Sequence, residues 1–157
     1  NGFDPGQREV FTEPGAEVVL WEVEFSPEKL SWEQFRQNVI GATDPAKAVE
    51  GSLRNLLLNR WEELGMPQKP DMSKNGVHAS AGPLEGLRER MVWLDADAAE
   101  DEFATALIEE GVGAERLVAL LENPSVKLGE KEEPVFDLTE DTDSDRAVEM
   151  IANEIEG

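Results

Sequence analysis

Cysteine and tyrosine are absent from the 157 residues, and histidine occurs once, at His78. Without thiols the chain forms neither a disulfide nor a thiolate metal site. A single imidazole falls short of the several that catalytic zinc sets use, so no metal site is expected. Positive charge is scarce: 14 Lys and Arg stand against 35 Asp and Glu, for a net charge of −21. Such a field disfavours nucleic acid and anionic membranes as partners, because both are gripped through basic surface. No run approaches the roughly 20 apolar residues of a membrane span, and no basic-then-apolar signal peptide opens the chain. A cytoplasmic protein is expected. Apolar residues make up 39% of the chain, enough for a core in a domain of this length.

The acidity is uneven. Residues 54–90 carry six Lys and Arg against five Asp and Glu, so this stretch escapes the excess of acid found elsewhere. Residues 95–157 hold twenty acidic and four basic residues. That shift divides the chain into a region 1–94 and an acidic, mostly helical extension 95–157, the latter of a composition common in solvated appendages.

Gly and Pro punctuate residues 1–16, which read as irregular. Glu17–Phe25, β-branched and aromatic, reads as a strand. Ser26-Pro27 signals a helix start, and Ser31-Trp32-Glu33-Gln34 offers a capping box where that helix can settle. Asp44-Pro45 signals another helix. Ser52 re-caps Leu53–Leu64, with Leu53, Leu56, Leu57, Trp61 and Leu64 on one face. Met66–Lys74 is a loop, and Val77-His78-Ala79 a short strand. Pro83–Leu94 is an amphipathic helix. Asp97–Glu110 and Ala114–Leu121 follow as helices, Lys127–Glu133 as a charged loop and Pro134–Leu138 as a strand. Thr142-x-x-Asp145 caps a last helix reaching Ile155.

The lone histidine stands in Asn75-Gly76-Val77-His78-Ala79-Ser80-Ala81. Upstream runs Gly41-Ala42-Thr43-Asp44-Pro45-Ala46-Lys47-Ala48-Val49-Glu50-Gly51-Ser52-Leu53-Arg54. Glu89 follows eleven residues after His78, and Met91-Val92-Trp93-Leu94 closes the segment. In this order the pieces resemble the nucleoside diphosphate kinase family, over about Glu17–Leu94. The resemblance implies an α+β fold, a ferredoxin-like α/β sandwich, and transfer of a terminal phosphate from a nucleoside triphosphate to a diphosphate through phosphorylated His78. It implies that Thr43 and Arg54 hold phosphate, that Asn75 holds the sugar hydroxyl, and that Ser80 and Glu89 support the imidazole. Mg2+ would arrive with the nucleotide rather than in a protein cage, and the chain would form a homo-oligomer.

The chain also departs from that family. Its first half, with a Lys-Pro-Asp strand, does not precede Glu17; either that half is missing or another segment or chain replaces it, the Val135–Leu138 strand being one substitute. Lys69-Pro70-Asp71 stands in a loop instead. The stretch between Arg54 and Asn75 is longer by about eleven residues, an insertion that offers Arg60 and Trp61 as new nucleotide contacts. The family's arginine six residues before the threonine is here Gln37, with Arg36 one place earlier, and on an α-helix that offset turns a side chain by about 100°. Ala79 and Ala81 replace a glycine and an acid. These departures favour an alternative, a non-catalytic nucleotide-binding or protein-interaction module built on the same fold. A third reading makes the acidic region the working part.

Overall fold

A computed structural model describes residues 12–156. The opening stretch read as irregular lies mostly outside these residues. The chain is α+β, with helices around one small antiparallel sheet. Among the described residues no helix is long and apolar enough to cross a membrane.

The helix expected from Ser26 begins later. Ser26 anchors only a turn, with Leu30 N donating to its carbonyl at 3.0 Å. The helix settles at Ser31, whose capping box with Gln34 is complete. This element, α1, spans Trp32–Gln34 as α-helix and Phe35–Ile40 as π-helix. Helix α2 is Leu53–Arg60, shorter than the run to Leu64. None of its residues is buried, and Leu53 and Leu56 stay exposed, so the expected apolar face is not covered. Ser52 precedes α2 but donates its hydroxyl back to Val49 O at 2.7 Å rather than capping it.

Helix α3, Pro83–Leu94, keeps its predicted bounds. Proline presets the first turn, and Asp95 ends the helix in the left-handed region at φ 56. The helix expected over Asp97–Glu110 breaks at Asp101. A 3-10 turn at Ala98–Glu100 precedes α4, Glu102–Glu109, which Asp101 caps by accepting from Ala104 N at 3.0 Å. Helix α5 is Ala114–Leu120.

What reads as a charged loop is a hairpin. Strand β1, Ser125–Leu128, pairs antiparallel with β2, Lys131–Pro134, around Gly129 at φ 61. Lys127 sits opposite Glu132 on one side and opposite Glu156 of β3, Ile155–Glu156, on the other. Opposite charges across strands stabilise such pairs, which is how so polar a segment forms a ladder. The sheet order is β2-β1-β3.

Val135–Leu138 is helical, α6, not the expected strand. Asn123 Oδ1 accepts from Phe136 N at 3.0 Å, and the Pro124 carbonyl from Val135 N, so these two amides are satisfied without a strand partner. The last helix, α7, runs Ser144–Glu149 as α-helix and Met150–Glu154 as π-helix, with Asp143 and not Thr142 at its N-cap.

The main core joins α3 to everything after it. Leu84 and Leu87 pack with Leu107, Val112, Val135 and Ile151. Packing therefore runs across the composition boundary at residue 94. Ahead of it, Glu17–Phe25 joins no ladder among the described residues, so the expected strand does not form. The Asp44-Pro45 helix is likewise a turn, in which Asp44 Oδ1 accepts from Ala46 N at 3.1 Å. Val77–Ala79 is not a strand either.

Candidate functional site

Helix α3 works with two faces. Leu84 and Leu87 enter the core. Glu85 and Glu89, four residues apart, share another face and meet the loop ahead of the helix. Glu85 accepts from Ala81 N. Glu89 Oε2 accepts the Ser80 hydroxyl at 2.6 Å, and its Oε1 lies 2.6 Å from His78 Nε2. Trp32 Nε1 donates to Ser80 O at 3.1 Å, which fixes the loop from the α1 side.

A carboxylate accepts, so Nε2 of neutral His78 carries the proton and Nδ1 the lone pair. Nδ1 has no partner among the described residues. The bond to Glu89 raises the His78 pKa above its usual value; burial opposes the shift and Glu85 assists it. Burial pushes the Glu89 carboxyl up, but bonds from His78 and Ser80 outweigh it and leave the group below its ordinary value.

Arg54 braces the loop rather than projecting freely. Its Nη1 donates to Gly41 O and its Nη2 to Val77 O, each at 2.8 Å. Asn75 Nδ2 donates to Thr43 O at 3.2 Å. Both contacts bind residues 41–43 to residues 75–77. Gly41 itself packs closely against Ala48 and Ser52. It sits at φ 97, and a Cβ there would lie 2.5 Å from Ser52 Oγ and 2.9 Å from Ala48 Cβ. Gly41→Ala is expected to lower stability by about 1–3 kcal/mol through backbone strain and crowding, read as a fall in the urea midpoint.

Thr43, Arg54, Asn75 and His78 line one cleft of about 550 Å³. Ser80 and Glu89 stand behind the imidazole rather than on the cleft wall. All six residues singled out in the sequence thus converge. Neither Arg60 nor Trp61 lines the cleft; Arg60 pairs with Glu63 at 2.6 Å, and the expectation that the insertion adds these contacts is not met.

Arg36 and Glu85 do line it. Gln37 lines it as well, so the one-place offset does not turn Arg36 out of the cleft. Gly41 N donates to Arg36 O, the i to i+5 bond that closes α1. Arg36 is held by carboxylates, Asp141 Oδ1 at 2.6 Å and Glu140 Oε1 at 2.8 Å. Burial alone would lower its pKa, but these partners raise it, whereas burial and the nearby Arg36 lower that of Arg54. His78, Glu85 and Glu89 also offer ligand atoms within 4.8 Å of one another. A cation there would compete with the Ser80 hydroxyl and the Ala81 amide for the carboxylates.

No family model matches the chain, and no match was found among curated proteins or solved structures.

Proposed function

We propose that the chain is a phosphotransferase of the nucleoside diphosphate kinase type, working through His78 on nucleoside di- and triphosphates. The observation that carries this reading is the bond from His78 Nε2 to Glu89 Oε1, which leaves Nδ1 as a free nucleophile in a ring that lines the cleft. In the first half-reaction Nδ1 attacks the terminal phosphorus. The P–N bond forms as the bond to the bridging oxygen breaks, and the diphosphate leaves with that electron pair. In the second, an oxygen of an acceptor diphosphate attacks the same phosphorus and the imidazole is released. Such a split step gives ping-pong kinetics. Glu89 offsets the positive charge that develops on the imidazole, while Arg54 and Thr43, both on the cleft lining, would meet phosphate oxygens. Mg2+ would enter with the nucleotide and would supply neutralisation of its phosphate charge.

In this reading residues 17–94 derive from the later part of a ferredoxin-like sandwich, while the β2-β1-β3 sheet lies beyond them in the acidic extension. A homo-oligomer in the cytoplasm is expected. Incubation with γ-labelled ATP and Mg2+ tests the function. The expected product is an acid-labile, base-stable label that chases onto added diphosphate. The non-catalytic alternative draws support from one observation: both guanidinium groups at the cleft already have partners. Label that forms but does not chase would favour it.

The pH dependence follows from the Glu89 contact. The nucleophile is neutral imidazole, and Glu89 favours the protonated form. Phosphoenzyme formation should therefore rise with pH through a midpoint above about 6.5, the ordinary histidine value. The stability that the contact provides runs the opposite way. It is fully present below the unfolded-state pKa and is lost as pH rises through the folded-state one. An initial-rate profile with a midpoint at or below the ordinary value would remove Glu89 from its supporting role.

A further inference from the structure

The turn from Thr139 to Asp143 lies outside the stretch that resembles the kinases, yet it is tied to the site at several points. Asp141 N donates to Ala81 O at 2.9 Å. The Thr139 carbonyl lies so close to Gly82 that a Cβ there would come within 2.5 Å of it. Asp143 Oδ1 accepts from Trp32 N at 2.6 Å, at the first turn of α1. Between these anchors Glu140 and Asp141 reach Arg36 on the cleft wall.

The arrangement sets the charge at the mouth. Arg36 and Arg54 are the cationic side chains on the lining among the described residues, and Glu85 is the acidic one. With Glu140 and Asp141 both on Arg36, the carboxylates outnumber the guanidinium groups. A polyanion entering the cleft finds Arg36 already neutralised. The two carboxylates differ in mobility. Asp141 is pinned by its own amide and sits at φ 59. The Glu140 side chain is 47% exposed, so water can solvate it on release, whereas its Arg36 partner is largely covered.

We propose that Glu140 and Asp141 form an acidic latch on Arg36, an autoinhibitory contact through which the C-terminal region lowers the affinity of the empty cleft for polyphosphate. A bound polyphosphate takes over the guanidinium and frees the carboxylates. Charge-assisted bonds to phosphate are of the same kind as those to carboxylate, so the exchange is reversible. The latch rests on the reading of the cleft as a polyphosphate site, not on turnover by His78.

The test titrates the full chain with inorganic tripolyphosphate at fixed pH and ionic strength. His78 is the sole histidine, so its ring signals in an NMR spectrum report cleft occupancy without assignment work. Glu140→Gln combined with Asp141→Asn removes the charges and keeps a residue that tolerates positive φ at position 141. The Kd should fall about tenfold, as expected when a charge-assisted partner is released. Glu140→Gln alone, a change at an exposed side chain, should give a few-fold gain and guards against misfolding of the double variant. With Arg36→Ala added, the gain should disappear. A gain of equal size in the Arg36→Ala background would reduce the effect to bulk charge and overturn the latch. So would no gain in Glu140→Gln, or no binding in any variant. Wild-type protein that binds tripolyphosphate but takes no label from ATP would sink the kinase reading and leave the latch standing.

Discussion

Replacing His78 by Ala is expected to abolish phosphoenzyme formation, with transfer to diphosphate falling at least about a thousandfold. The chain has no second imidazole, and the nearest hydroxyl, that of Ser80, is committed to Glu89. Any label that reached Ser80 would be acid-stable and so distinguishable. The loss should be chemical rather than structural. The His78 side chain is 67% exposed, and substitutions at exposed positions usually change stability by no more than about 0.5 kcal/mol. Denaturant midpoints of wild type and variant should therefore agree at a pH above the folded-state His78 pKa, where the charge-dependent part of the Glu89 contact is lost. His78→Gly leaves room for a free base, and added imidazole should take the phosphoryl group from ATP as free phosphoimidazole and restore part of the transfer to diphosphate, with no label returning to the protein. Acid-labile label that persists in His78→Ala would remove His78 as nucleophile.

Leu107→Ala should cost about 2–5 kcal/mol, against a typical total of about 5–15 kcal/mol for a single domain. Leu107 is completely buried on α4, in the cluster that also holds Leu84 and Leu87 of α3. The measurement is the urea midpoint at unchanged m-value. The site would feel it too, because Glu85 and Glu89 are carried on the helix whose other face enters that cluster. A cost below about 1 kcal/mol would mean that the cluster repacks freely around the missing atoms.

The site was more legible in the sequence than the fold that carries it. Short-range chemistry explains why. Asn75, His78, Ser80 and Glu89 lie within fifteen residues, so one loop and the start of α3 bring them together. Arg36 was set aside because a one-place offset turns a side chain away from its neighbour's direction, yet the cleft is wide enough to take both Arg36 and Gln37. Glu140 and Asp141 were out of reach because their contacts with Arg36 span more than a hundred residues. Elements were read best where caps and periodicity agree, as in Pro83–Leu94. They were read worst where tertiary partners decide. Val135–Leu138 has strand-like residues, but its first amides are met by Asn123 and Pro124. Lys127 has loop-like charge, but acids on both neighbouring strands hold it in a ladder.

The unladdered segment Glu17–Phe25 carries a hazard. Trp21 is 81% exposed and Val19 78%, beside backbone that no ladder occupies among the described residues. Such a segment is a template for zipping to a like segment on another molecule. Glu17, Glu22 and Glu24 interrupt it, and a net charge of −21 opposes indiscriminate association. Both safeguards fade together as the medium approaches the isoelectric point near 4.2. Mild acid should therefore precipitate the protein through this seam, before its core melts.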